Sequence, residues 1–217
     1  MKNILLTGAT GMVGSLVLDY ALNSPDVEKV TSLIRRATGH NHPKLNEVII
    51  SDFKDYTTQA SLFKNIDAAY FCIGAYTGQV SDDLFKEITL DYAVAFAEAI
   101  KQHSPSATLC LLSGAGADRT EKSRVSFAKY KGMAENQIAA MNLGAFHVFR
   151  PAYIYPVAPR KEPNLMYSVS RALYPLIRLF GKNASIKSTE LASAMFRVGL
   201  SGAKQEILEN RDILEHV

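Results

Sequence analysis

A chain of 217 residues that is 47% apolar and 21% charged has the length and make-up of one soluble α/β domain with its own core. Its net charge of +3 excludes the concentrated basic stripe of a nucleic-acid binder, since the tight basic pair in the first half is Arg35-Arg36 alone. No apolar run reaches the roughly 18 residues of a membrane span, and the N-terminal segment enters a strand-like run with no secretory leader. Cys72 and Cys110 lie inside apolar runs and read as reduced core thiols. A soluble, cytoplasmic protein is expected.

Strand and helix alternate over the first two thirds. Ile4–Thr7 reads as a strand and Met12–Asn23 as an amphipathic helix closed by Ser24-Pro25. Val30–Ile34 and Glu47–Ser51 follow as strands, then a short helix over Ala60–Lys64 and a fourth strand over Ala68–Ile73. A long helix is expected over Asp82–Gln102, with Ser81 as its N-cap and His103-Ser104-Pro105 closing it. Thr108–Leu112, Ser123–Asn142 and Phe146–Phe149 give strand, helix and strand. Short apolar strands alternating with helices predict βαβ units, hence a doubly wound parallel sheet buried on both faces.

Beyond Arg150 the pattern loosens around Pro151, Pro156, Pro159 and Pro163. A helix over Asn164–Phe180, kinked at Pro175, and another over Glu190–Leu200 are expected. With no repeat or linker, the chain reads as a single domain whose residues 151–217 form a small capping region on the substrate side.

The first strand runs into Thr7-Gly8-Ala9-Thr10-Gly11-Met12-Val13-Gly14. Gly8 permits the tight turn, Gly11 lets backbone approach a pyrophosphate, and Gly14 lets helix pack on strand. The helix opening near Met12 points free N–H groups and its positive dipole end at the phosphates. The strand–loop–helix context makes this a Rossmann-type dinucleotide loop. About 20 residues on, an NAD site offers a carboxylate to the ribose. Here Ser32-Leu33-Ile34-Arg35-Arg36 offers none, and a guanidinium grips a 2′-phosphate, so NADP(H) is favoured over NAD(H). Asp52 and Phe53, after the third strand, are placed to flank the adenine.

The Thr7–Gly14 loop, Arg35-Arg36, Phe71-Cys72-Ile73-Gly74, Leu112-Ser113-Gly114, Lys131-Gly132 with Glu135, and Phe149-Arg150-Pro151 occur in order. As a set they resemble an atypical short-chain dehydrogenase/reductase. The likeness is to the Tat-interacting-protein-like oxidoreductases, related to NmrA-like proteins and NAD-dependent epimerases. The resemblance implies that Cys72, Ile73 and Gly74 lie along the cofactor and that Pro151 borders the nicotinamide. It implies that Ser113 polarises a substrate carbonyl. It implies that Lys131 holds the nicotinamide ribose and lowers the pKa of a catalytic tyrosine.

That tyrosine is missing. The family pattern is Tyr-x-x-x-Lys, because residues four apart share a helix face. Four before Lys131 stands Phe127, which has no proton to give, while Tyr130 is about 100° away around the helix. Tyr130 would itself pair with Ala134, not a lysine. Ser113, Tyr76, Tyr153 or a water remain as proton donors of an unusual reductase; the other reading is a non-catalytic cofactor-binding sensor acting through partners.

His40, His42, His103, His147 and His216 show no metal-ligand spacing, so no metal is expected. The helix expected over Asn164–Phe180 is amphipathic and basic, and reads as packed beside the substrate cleft rather than on a membrane. Asp91-Tyr92 on the long helix is a candidate for a homodimer surface, a point the sequence leaves open. The expected partner is a small-molecule substrate, not nucleic acid or membrane.

Overall fold

A computed structural model describes residues 1–76, 78–158, 174, 181 and 183–217. Seven parallel strands form the central sheet: β1 (Lys2–Thr7), β2 (Val27–Ile34), β3 (Leu45–Ile49), β4 (Ala68–Phe71), β5 (Thr108–Leu112), β6 (Ala145–Arg150) and β9 (Ile207–Glu209). Their order is β3-β2-β1-β4-β5-β6-β9. A two-stranded parallel ribbon, β7 (Tyr153–Tyr155) with β8 (Ser185–Lys187), stands beside it. The doubly wound expectation is met.

Strand alternation sorts the core into two layers. Ile4 and Leu6 face one side with α1 (Met12–Asn23) and α5 (Ser188–Ser201), where Val17, Leu18 and Ala21 meet Leu191, Met195 and Val198. Leu5 faces the other side, with a 3₁₀ helix (Thr57–Phe63), α3 (Tyr92–His103) and α4 (Ser126–Ala140), around Phe63, Phe96, Ile100 and Ile138. Because both faces are covered, the strands read in sequence as unbroken apolar runs. The polar end of fully buried Tyr70 is satisfied by donating to the carbonyl of Phe196 at 2.9 Å.

Several bounds differ from the sequence reading. β2 begins three residues early, at Val27, because Val27 and exposed Lys29 still pair with Lys2 and Asn3 of β1, the register skipping Glu28. β3 runs Leu45–Ile49 rather than Glu47–Ser51. The long helix is not continuous: α2 (Asp82–Lys86) passes through a π turn over Glu87–Asp91 before α3. That wider turn sets Tyr92 over Glu87, five residues back, and the phenol donates to the carboxylate at 2.8 Å. Ser81 caps α2, its hydroxyl accepting from the Leu84 amide at 3.3 Å.

The C-terminal third gave the weakest pattern. β9 and α6 (Asn210–Leu214) are too short for a periodic signal, yet β9 supplies the seventh strand of the sheet. The helix expected over Asn164–Phe180, with Pro159 and Pro163 before it, lies outside the described residues save for Tyr174. Among the described residues no helix is long and apolar enough to cross a membrane.

Candidate functional site

The order β2-β1-β4 places a topological switch point between β1 and β4, where ligands bind in the crevice beyond the carboxyl ends of such strands. Register brings those ends level: Thr7 pairs with both Leu33 and Phe71. The loops after β1, β2, β4, β5 and β6 therefore share one rim.

The glycine loop is built from backbone contacts. Gly8 sits at φ +80°, and a Cβ there would lie 2.5 Å from the Cys72 carbonyl carbon. At Gly14 a Cβ would lie 2.2 Å from the Gly8 oxygen. Gly11 donates its amide to the Gly8 oxygen at 2.9 Å and caps α1 with no side chain, and no acid stands in the first turn. The amides at the start of α1 thus face the crevice without a side-chain acceptor, a setting made for an anion.

Around this loop lies a cleft of about 430 Å³ lined by Gly8, Thr10, Gly11, Arg35, Phe53, Cys72, Ile73 and Gly74. The volume and the phosphate-seeking amides fit the adenosine half of a dinucleotide. Of the residues singled out in the sequence, Val13 is buried in the core beneath the loop and contributes backbone. Arg36 is exposed and does not line the cleft. Asp52 is exposed too, its carboxylate accepting the Lys54 amide at 2.8 Å. The wall that sequence reasoning missed is Val80, Leu84, Ile88 and Tyr92. Their spacing of four, starting just after the fourth strand's loop, is the signal that would have found them. Tyr92, expected on an outer face, turns toward the cleft.

A second cleft, of about 190 Å³, adjoins the first and is lined by Met12, Tyr76, Ser113, Gly114, Phe127, Pro151 and Tyr153. Two backbone bonds lock its floor: Ser113 N–H to the Phe149 carbonyl at 2.8 Å and Ala115 N–H to the Pro151 carbonyl at 2.9 Å. Phe127 stands where the resemblance calls for tyrosine. Its ring lies over Gly114, so close that a Cβ on Gly114 would be 2.7 Å from the ring tip. Tyr130 does not substitute: its hydroxyl donates to Asp82 at 2.7 Å, away from this cleft.

Lys131 ends behind Phe127, its ammonium 5.3 Å from the ring centre and donating to the Leu112 carbonyl at 3.4 Å. Burial of that ammonium pulls its pKa down to about 8, against a smaller upward pull from Glu135. The sign of the pH effect follows. Below about pH 8 folded and unfolded chains both carry the charge, and its desolvation cost is paid in full. Above about 8 the folded chain has released a proton that the unfolded chain still holds, so stability rises with pH until the usual lysine range. Lys131→Met is expected to remove this rise. Chemical denaturation at pH 7 and pH 10 checks it, and an unchanged wild-type-to-variant difference would contradict it.

Glu135, one turn beyond Lys131, is the residue whose role the sequence left unassigned. It is fully buried. Its Oε1 accepts from Ser113 Oγ at 2.5 Å and Arg150 Nε at 3.1 Å. Its Oε2 accepts from Arg119 Nε at 3.0 Å and Arg150 Nη2 at 2.5 Å. The arginines reach outward to Glu206 and Glu209. Among the described residues no three His, Cys, Asp or Glu side chains converge to hold a metal.

Comparison with known proteins agrees with this geometry. A model of the NAD dependent epimerase/dehydratase family matches residues 4–143. The chain is 25% identical over 218 residues to Protein HTATIP2 of Rattus norvegicus, covering 98% of this chain and 88% of that one. It is 24% identical over 176 residues to the mitochondrial protein fmp52 of Emericella nidulans, covering 79% of this chain and 74% of that one. Among solved structures, the enzyme WbmH of Bordetella bronchiseptica in complex with NAD+ superposes with a TM-score of 0.71 at 18% identity, over 96% of this chain and 75% of that one. The dTDP-glucose 4,6-dehydratase of Bacillus anthracis in complex with NAD gives 0.67 at 18%, over 96% and 75%. The structural likeness shows the fold, and the match to HTATIP2 bears out the resemblance read from the motifs. This chain belongs to the NAD-dependent epimerase/dehydratase family and carries its Rossmann-type sheet.

Proposed function

We propose that this protein binds a nicotinamide dinucleotide, NADP(H) in preference to NAD(H), and acts as an oxidoreductase on a small carbonyl or alcohol in a site that lacks the usual tyrosine. The observation that carries this reading is the uncapped start of α1 set against a loop in which Gly8 and Gly14 leave no room for side chains. The Gly8–Gly14 loop and the first amides of α1 would take the diphosphate. Arg35 on the rim would take a 2′-phosphate, and Gly74 and Lys131 would follow the chain of the cofactor toward the second cleft. When bound, the nicotinamide supplies a hydride donor or acceptor. Phe127, Met12 and Pro151 line that end of the site with apolar surface, and Lys131 would hold a proton close to the reaction cleft.

Among the described residues no carboxylate pairs with Arg35 or Arg36 within salt-bridge distance, so the guanidiniums remain available to a phosphate. Losing one charge-assisted contact is worth about 10- to 100-fold in affinity. Arg35→Ala is therefore expected to weaken NADPH by that factor and to leave NADH nearly unchanged, as measured by fluorescence titration. An equal loss for both cofactors would remove the preference from Arg35.

Phe127 favours a second reading, a cofactor-binding sensor without turnover, because a phenyl ring stands where an acid belongs. Phe127→Tyr separates the two. If the rest of the site is complete, the restored acid raises NADPH-dependent reduction over a carbonyl panel by about 100-fold or more. A variant that binds cofactor and stays inactive, like its parent, supports the sensor. A cytoplasmic location belongs to the same proposal and rests on the two buried free thiols, Cys72 and Cys110. Recovery of the native protein in a mitochondrial fraction, as the name of the fungal relatives indicates for them, would contradict it.

A further inference from the structure

The hydroxyl of Ser113 has one proton to give and two lone pairs to offer. The proton is already committed: Oγ donates to Glu135 Oε1 at 2.5 Å. Glu135 in turn has its two oxygens filled by four donors, the others being Arg150 Nε, Arg150 Nη2 and Arg119 Nε. Turning the Ser113 proton into the cleft would leave a buried carboxylate one partner short, and such a loss is costly in a fully enclosed site. Yet Ser113 also lines the 190 Å³ cleft beside Phe127 and Gly114. With its proton committed, Oγ has lone pairs and no proton to offer there.

We propose that Glu135 is a positioning residue that fixes Ser113 as a hydrogen-bond acceptor, so that the cleft takes the hydroxyl form of its substrate in preference to the carbonyl form. This reverses the role that the family resemblance implies for Ser113, a donor that polarises a carbonyl. It rests on the proposed function in placing the substrate in this cleft. The hydroxyl of an alcohol donates to Ser113 Oγ, whereas a carbonyl oxygen at the same point meets a lone pair and is repelled. The arginines take part only by holding the carboxylate, and so the serine, in one orientation.

A matched pair of probes tests it: 1-phenylethanol and acetophenone, titrated by NMR chemical shift against the full chain without dinucleotide. Cofactor binding is measured separately, so that failure of the proposed function and failure of this inference give different results. One neutral hydrogen bond gives the alcohol an advantage of about 3- to 10-fold, and Ser113→Ala removes it. Glu135→Gln reverses it: the amide oxygen stays at the Oε2 position, where two arginine N–H groups donate, so the amide N–H turns to Ser113 and frees the serine proton for the cleft. A merely structural role for Glu135 leaves the preference as it was. Where Glu135→Gln does not fold, the Ser113 hydroxyl proton decides. The proposal expects a downfield resonance protected from exchange that vanishes in Ser113→Ala. Acetophenone binding as well as the alcohol in the wild type, an alcohol preference that survives Ser113→Ala, or an unprotected Ser113 proton would each overturn the proposal.

Discussion

Replacing Gly14 by alanine is expected to abolish dinucleotide binding and to destabilise the fold together. The new methyl would stand 2.2 Å from the Gly8 oxygen, 2.7 Å from the Gly8 carbonyl carbon and 3.1 Å from Cys72 Cβ. Two of those neighbours are backbone of the phosphate loop and cannot rotate aside, so the start of α1 must lift from β1. Overpacking of this kind costs about 1–3 kcal/mol where neighbours can yield, and more where they are backbone. The amides of α1 then no longer converge on the diphosphate, and an affinity loss of about 100-fold or more follows from a displacement of this size. Gly11→Ala is the control. Its nearest neighbour would be the Gly8 oxygen at 3.2 Å, so stability should fall little, while the methyl crowds the face that meets the phosphates. Thermal unfolding and cofactor titration of both variants check the pair; Gly14→Ala with wild-type stability would contradict the packing argument.

Glu135→Ala is expected to be among the most destabilising single changes in the chain. It strips Arg150 of two bonds, Arg119 of one and Ser113 of its acceptor, all beside a fully buried site. Removing one partner of a buried ion pair costs about 3–5 kcal/mol, because the remaining charge is left desolvated. For a domain of this size that lowers Tm by roughly 10 °C. Glu206 and Glu209 still hold the outer ends of the two arginines, which places the expectation at the lower end of the range. The mechanism has a further signature: in a Glu135→Ala background, Arg150→Ala should cost less than it does alone, since the charge left orphaned is the one removed. Equal costs in both backgrounds would show that the pair is not coupled.

Much of the fold was legible because it rests on short-range rules. α1 has the bounds expected from the apolar stripe after the glycine loop, and β5 those of its apolar run. The two-sided burial of a parallel sheet made the other inner strands stand out as well. What escaped has identifiable causes. The π turn at Glu87–Asp91 preserves an apolar stripe on both sides, so the sequence reads as one helix. β9 is three residues long and becomes a strand through pairing with β6, a contact from the far end of the chain.

The site divides in the same way. Gly8, Gly14 and Arg35 were readable because each answers a local geometric or electrostatic demand. The vacancy at Phe127 was readable by counting four back from Lys131. The grip of Glu135 on Ser113 was not, because it joins residues 22 apart, on different elements, and its meaning depends on four bonds converging in space. The apolar wall of Leu84, Ile88 and Tyr92 likewise acquires its role when the helix is laid against the crevice.

The central claim is that the Gly8–Gly14 crevice binds a nicotinamide dinucleotide, and isothermal titration of the purified chain with NADPH and NADH tests it most directly. The account predicts saturable binding of both at one site, NADPH the tighter by about 10-fold or more, with binding lost in Gly14→Ala. No heat and no saturation with either cofactor at millimolar concentration would contradict it.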